Sequence, residues 1–151
     1  MISECPTALL NYKNIFEKDV EWGDMDAMQH VNNKRYFYYA ESARLRWFNE
    51  IYSQLGVEYG GELKESFALA ETSCKFKVPL TFPDTLLVAT GVLFIEANQF
   101  ILRHLIYSNQ LACVAAEAEA RMVRYDFINN CRADIPDNEI SMLKKYQVPQ
   151  D

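Results

Sequence analysis

Two carboxylates and a histidine fall within seven residues in Asp24-Met25-Asp26-Ala27-Met28-Gln29-His30. Val31-Asn32-Asn33 follows at once, and Lys34-Arg35-Tyr36 then opens a long aromatic and apolar run. An aspartate in this setting can act as a general base or as a nucleophile. It can equally cap backbone groups of a loop, a common task for aspartate. His30 can move a proton or hold the loop by hydrogen bonds, and spacing does not choose between these roles. What favours chemistry is the helical pattern that starts directly behind the loop. A helix N-terminus carries unpaired N–H groups and the positive end of a dipole, which together can polarise a carbonyl oxygen and hold the charge that develops on it. Carboxylate and helix N-terminus are a workable pair for hydrolysing an activated acyl bond.

Other chemistries find little support. The chain contains no Gly-x-Ser-x-Gly, no phosphate-binding loop and no Gly-x-Gly-x-x-Gly, which argues against serine hydrolase, nucleoside triphosphatase and dinucleotide-binding readings. Cys5, Cys74, Cys113 and Cys131 are widely spaced, and only His30 and His104 could join them, so neither a zinc site nor any other metal site is expected. Four free thiols in a reducing compartment are the expectation. The formal charge of −6 without a basic cluster argues against nucleic acid and anionic membrane surfaces as partners, though a local basic patch would suffice for a small polyanion. Lys75, Lys77, Arg103, Arg121 and Arg124 are the candidates for such contacts. No signal peptide and no membrane-spanning run is visible, so the expected location is the cytoplasm.

The elements that must position the loop follow from period and punctuation. Tyr12 to Trp22 alternates, with Tyr12, Phe16, Val20 and Trp22 on one face, and predicts a half-buried strand after a loosely held lead-in over Met1 to Leu10. Asn32 or Asn33 can cap a helix that runs from about Lys34 to about Leu55 and stops at Gly56. Its apolar arc, Tyr36, Tyr39, Ala40, Ala43, Trp47 and Ile51 widened by Phe37, Phe48, Tyr52 and Leu55, predicts burial on more than one side. Glu41, Arg44, Arg46 and Glu50 form the polar remainder. Gly60-Gly61 marks a loop. Strands are expected over Phe67 to Val78, Leu86 to Glu96 and Phe100 to Tyr107, separated by a two-proline break at Pro79 to Asp84 and a turn at Ala97-Asn98-Gln99. Leu111 to Phe127 has helix-forming composition, yet Ala116, Ala118, Ala120 and Met122 alternate with Glu117, Glu119 and Arg121. The period of two predicts a strand whose small residues press against the helix. A short helix over about 137–146 closes the chain, with Asp137 as N-cap or Pro136 in the first turn. The whole of 1–151 is expected to be one α+β domain, with its core over about 12–127: a strand, a long helix, then four strands in an antiparallel meander.

Trp22-Gly23-Asp24-Met25-Asp26-Ala27-Met28-Gln29-His30-Val31-Asn32-Asn33-Lys34-Arg35-Tyr36, with Tyr39, Glu41 and Ala43-Arg44 downstream, resembles the hotdog-fold acyl-CoA thioesterases. The resemblance is to the 4-hydroxybenzoyl-CoA thioesterase-like branch, in its long-chain acyl-CoA subgroup. Val78-Pro79 through Asp84-Thr85-Leu86 is similar to that family's link between its second and third strands. The resemblance implies a long central helix wrapped by a curved antiparallel sheet of five to six strands. It also implies a homodimer, or a dimer of dimers, with sites at the subunit interface. By position it implies Asp26 as nucleophile or as base on water, and the backbone N–H of Asn33 as donor to the thioester oxygen. His30, Val31, Asn32 and Tyr36 would shape the acyl pocket. Coenzyme A enters as part of the substrate, and no bound cofactor is implied. Two positions depart from the family pattern: Gln29 and Pro83 stand where glycine is usual. If the first glycine serves a positive φ, Gln29 implies a strained or altered loop. The alternatives are a thioesterase acting on acyl carrier protein and a non-catalytic acyl-CoA-binding module of the same fold. A hotdog dehydratase fits less well, because the central helix lacks that branch's pairing of histidine with a carboxylate.

Overall fold

The computed structural model describes residues 5–59 and 64–150. The loop expected at Gly60-Gly61 and the first four residues of the lead-in lie outside them. The elements run β1 (Asn14–Asp19), α1 (Asn33–Gln54), β2 (Glu65–Phe76), β3 (Thr85–Ile95), β4 (Gln99–Ser108), β5 (Cys113–Asp126), β6 (Cys131–Arg132) and α2 (Asp137–Lys144). All strands join one antiparallel sheet in the order β1-β3-β4-β5-β2, with the two-residue β6 paired to β5. One long helix lies against this curled sheet. That is the hotdog architecture.

The expected four-strand meander is corrected at one point. Only β3, β4 and β5 follow one another across the sheet, while β2 sits at the far edge beside β5. The cause is the segment 77–84, which carries the chain from one edge to the other past the start of α1. Leu80 pins it there, since its C=O accepts the Val31 N–H at 2.8 Å and its N–H donates to the Tyr36 hydroxyl at 3.1 Å. β3 is thereby delivered to β1, and Val20 N–H donates to Asp84 C=O at the junction.

The first strand is also shorter than its alternation suggested. It ends at Asp19, and Trp22 lies in a 3-10 turn, Trp22–Asp24, with its side chain 74% exposed rather than on the buried face. Reciprocal capping between Glu21 and Asp24 winds the chain out of the strand there. At the other end of the molecule α2 begins at Asp137 as expected, with Pro136 rather than Asp137 as its N-cap, and ends at Lys144.

The core explains the composition of β5. Ala116, Ala118 and Ala120 are fully buried, so the helix backbone can approach the sheet closely. Helix-forming composition loses here because a strand places every second alanine against α1, whereas a helix would have scattered them. Two apolar clusters fill the interior. One gathers Trp47, Phe48, Phe67, Phe100 and α2 residues such as Leu143, and the other gathers Val31, Tyr36, Tyr39, Leu80 and Ile106 around the helix start. A third, smaller cluster lies under the N-terminal 3-10 turn, where Leu9 covers Ala89 and Leu105. Past Asn14 the edge of β3 is taken by the C-terminal tail, through Val92 N–H to Tyr146 C=O and Val148 N–H to Val92 C=O, each 2.9 Å. Gly91 permits that approach, because a Cβ there would sit 2.5 Å from a Val148 methyl carbon.

Two charged residues depart from their expected exposure. Arg44, read as part of the polar helix face, is buried, because the wrapped sheet covers more of α1 than a one-sided stripe would need; desolvation lowers its pKa. Arg124, considered for phosphate contacts, is committed internally. It donates to Glu65 at 2.9 Å and to Glu139 at 2.8 Å, and Tyr52 donates to the same Glu139 at 2.6 Å, which locks α2 onto the sheet and α1. No helix is long and apolar enough to cross a membrane among the described residues.

His104 lies wholly buried in β4 with Nδ1 3.0 Å from the Thr90 hydroxyl. Burial, with Arg44 nearby, pushes its pKa down to about 3. The unfolded chain therefore binds more protons than the folded one as the pH falls from about 6.5 towards 3, and stability is lost across that window. Urea midpoints of wild type and His104→Gln at pH 7 and pH 5 measure this: the glutamine variant is expected to lose less stability on acidification than wild type.

Candidate active site

The stretch Asp24 to Asn32 closes on itself as a small hairpin. Asn32 N–H donates to Asp24 C=O at 2.9 Å, Met25 and Val31 form an antiparallel bridge, and Asp26 N–H donates to His30 C=O at 3.0 Å. The tip is a tight turn closed by Gln29 N–H to Asp26 C=O at 3.0 Å. A turn of this kind ends in a left-handed residue, usually glycine. Here Gln29 fills that position with φ 63°. The loop keeps the backbone course for which glycine is preferred, and glutamine bears the strain. The other departure, Pro83, follows a cis peptide bond in the cross-over segment.

The hairpin is tied to α1 at two places. Asn32 is the N-cap, its side-chain oxygen accepting Lys34 N–H at 3.1 Å, so Asn33 is the first helical residue. Its own N–H is one of the helix's opening amides, which have no partner inside the helix. The second tie is Asp24. Its carboxylate is 5% exposed and accepts from the Tyr39 hydroxyl at 2.6 Å and from Glu21 N–H at 3.0 Å, with Arg35 Nε 3.4 Å away. Burial first, and then the hydrogen bond to Asp24, pushes the Tyr39 hydroxyl far above the usual tyrosine range, so it stays a donor.

A cleft of about 500 Å³ opens where this hairpin, the helix start and the end of β2 meet. Asp26, His30, Val31, Asn32, Asn33 and Tyr36 all line it, so the six residues singled out in the sequence come to one place. Asp26 is half-buried, and its Oδ1 accepts Met28 N–H at 2.8 Å, which orients the carboxylate and leaves Oδ2 available. His30 is exposed on the rim, and Val31 is buried beneath it. Tyr36 is 2% exposed, with its hydroxyl turned to Leu80 N–H and its ring edge-on to Phe76 at 5.0 Å.

The opposite wall is Phe76, Lys77, Val78 and Pro79, with Met28 on the hairpin side. The sequence marks Val78-Pro79 as a strand end, but nothing in the local pattern brings that end to the helix start. Of the basic candidates only Lys77 borders the cleft, and its ammonium group is 3.1 Å from Glu117. Arg103 pairs with the same Glu117, and Arg121 pairs with Glu71. Cys74 packs beside Tyr36 in the apolar cluster, and burial pushes its thiol up to about 11, which removes it as a thiolate nucleophile at neutral pH. The four cysteines are free thiols.

A family model for the thioesterase-like superfamily matches residues 20–144. The chain belongs to the thioesterase-like superfamily. Solved structures agree in fold. PA2801 of Pseudomonas aeruginosa, named "a putative Thioesterase", is 25% identical, with a TM-score of 0.73 over 85% of this chain and 95% of that one. BH1999 gentisyl-coenzyme A thioesterase is 24% identical, with a TM-score of 0.71 over 85% and 98%. Slr0204, a 1,4-dihydroxy-2-naphthoyl-CoA thioesterase from Synechocystis, is 18% identical, with a TM-score of 0.72 over 89% and 98%. No functionally curated sequence matches the chain significantly. Membership supports thioester hydrolysis as the chemistry of the fold.

The left-handed turn at Gln29 carries its own test. A non-glycine residue pays about 1–2 kcal/mol for that conformation, and glycine's greater freedom in the unfolded chain offsets part of the gain. Gln29→Gly is expected to raise Tm by about 2–4 °C. Gln29→Val, with its stiff branched side chain, is expected to lower it. Thermal unfolding followed by circular dichroism reads both.

Proposed function

We propose that the protein hydrolyses acyl-CoA thioesters to the free acid and coenzyme A. The observation that carries this reading is the meeting of the Asp26 carboxylate and the helix start at Asn33 in one cleft. Asp26 acts on the thioester carbonyl carbon, either by taking a proton from the attacking water or by attacking directly to form an anhydride that water then opens. In both routes the carbonyl oxygen becomes negative, the C–S bond breaks and coenzyme A leaves as thiolate. The Asn33 N–H and the positive end of α1 stabilise the oxyanion. His30, Val31, Asn32 and Tyr36 hold the acyl group.

Gln29 weakens the binding-only alternative. Its positive φ keeps the hairpin closed behind Asp26, so the departure from glycine does not dismantle the loop. The carrier-protein alternative stays open to direct comparison of the two thioester types. A second copy of the chain is expected along the free edge of β2, where Leu69 and Phe76 lie exposed and α1 presents Phe37, Tyr38 and Leu45. Light scattering at micromolar concentration is expected to give twice the monomer mass or a multiple of it; a monomer would remove the dimer from this reading.

Thiol release from a panel of acyl-CoAs tests the function. The panel spans short to long chains, because the motif resembles the long-chain branch. It includes aromatic acids, because two structural neighbours are named for them. Asp26→Asn keeps the shape of the side chain and removes its charge. It is expected to lower kcat on the best substrate by about 10³-fold. Equal rates for wild type and variant would end the assignment of Asp26.

A further inference from the structure

We propose that Tyr39 and Asp24 are positioning residues for the reaction: their buried hydrogen bond sets the Asp26 carboxylate against the Asn33 amide. The inference rests on the reading of Asp26 and Asn33 given above. Asp26 and Asn33 belong to opposite limbs of the hairpin. Asp26 sits two residues beyond Asp24, and Asn33 follows the N-cap Asn32. The limbs are joined at the base by Asn32 N–H to Asp24 C=O and near the tip by Asp26 N–H to His30 C=O. Those bonds hold the hairpin's shape; its Val31 limb is bridged to α1 through Leu80 and Tyr36, and its Asp24 limb needs a tie of its own.

Tyr39 provides that tie. It lies in the second turn of α1, fully buried, and its hydroxyl reaches back to Asp24 Oδ2 at 2.6 Å. A ring of bonds results: Tyr39 to Asp24, Asp24 to Asn32, Asn32 into the helix, and the helix back to Tyr39. Arg35 adds a charged contact to the other Asp24 oxygen at 3.4 Å. A buried carboxylate has few conformations, because leaving any of its donors would strand a charge away from water. Neither Asp24 nor Tyr39 lines the cleft, so neither touches the substrate directly. A displacement of about 1 Å between two reacting groups can cost on the order of 10²-fold in rate.

The experiment measures kcat and KM per folded molecule at 20 °C, on the best acyl-CoA of the panel. Tyr39→Phe removes the hydroxyl and keeps the ring. It is expected to lower kcat at least about tenfold while KM changes less than about threefold. Wild-type kcat with a lowered Tm would mean that the bond is structural only, and would overturn the proposal. A second comparison stands if Tyr39→Phe does not fold. Asp24→Asn keeps an oxygen that can accept from Tyr39, and Asp24→Ala does not. Asp24→Ala is expected to have the lower kcat by about tenfold at similar KM, and equal values would also overturn the proposal. Asp26→Asn, assayed alongside, separates the two claims. Full turnover by Asp26→Asn defeats the site assignment itself. An inactive Asp26→Asn beside unaffected Tyr39 and Asp24 variants defeats the positioning alone.

Discussion

The buried Asp24 carboxylate sits behind the candidate site, at the base of the hairpin that carries Asp26, and ties that hairpin to α1. Burying it is costly unless each oxygen finds a donor. Tyr39, Glu21 and Arg35 supply those contacts from three directions. The 3-10 turn that ends β1, the hairpin with Asp26 at its tip and the first turns of α1 are thereby held to one another. Losing the Tyr39 hydroxyl would leave one buried oxygen with fewer donors, at a cost of the order of a lost hydrogen bond to a charged group.

The sheet supplies the second constraint. It curls round α1 with register shifts between Leu69 and Glu71, Val92 and Phe94, and Ile106 and Tyr107. Each irregularity bends the sheet locally, and the alanine row of β5 lets the concave face approach the helix. The helix is then covered well past a single stripe, which accounts for the burial of Arg44 and for the wide apolar arc of its sequence. The cross-over segment completes the site from the other side. By pairing Leu80 with Val31 and Tyr36, it brings Val78 and Pro79 to the mouth of the cleft.

Membership of the thioesterase-like superfamily and the shape of the loop point the same way. Gln29 holds a left-handed conformation that glycine adopts at lower cost. The hairpin on either side over-determines its conformation: Asp26 bonds to both His30 and Gln29 through the backbone and to Met28 through its side chain. Local strain at one residue persists because several neighbours prevent its release.

Local pattern was enough to read the central helix, its cap near Asn32, the apolar run of β3 and the alternation of β5, and the loop motif carried the resemblance that named the residues lining the cleft. These depend on neighbours within one or two turns or along one strand, so their physical causes are written in adjacent residues. The alanine row could also be read, because a period of two survives whatever the composition. What pairs with what is a different kind of question. The place of β2 at the far edge, the return of the tail to β3, the second wall of the cleft and the burial of Arg44 all depend on where a distant segment comes to rest. Tyr39 shows the division most clearly. Its spacing marks it as one more buried aromatic on a helix face, and only the folded chain brings its hydroxyl to Asp24, fifteen residues earlier. A side chain's surroundings in the sequence state how it is presented, while its hydrogen-bond partner is set by the packing of elements that the sequence holds apart.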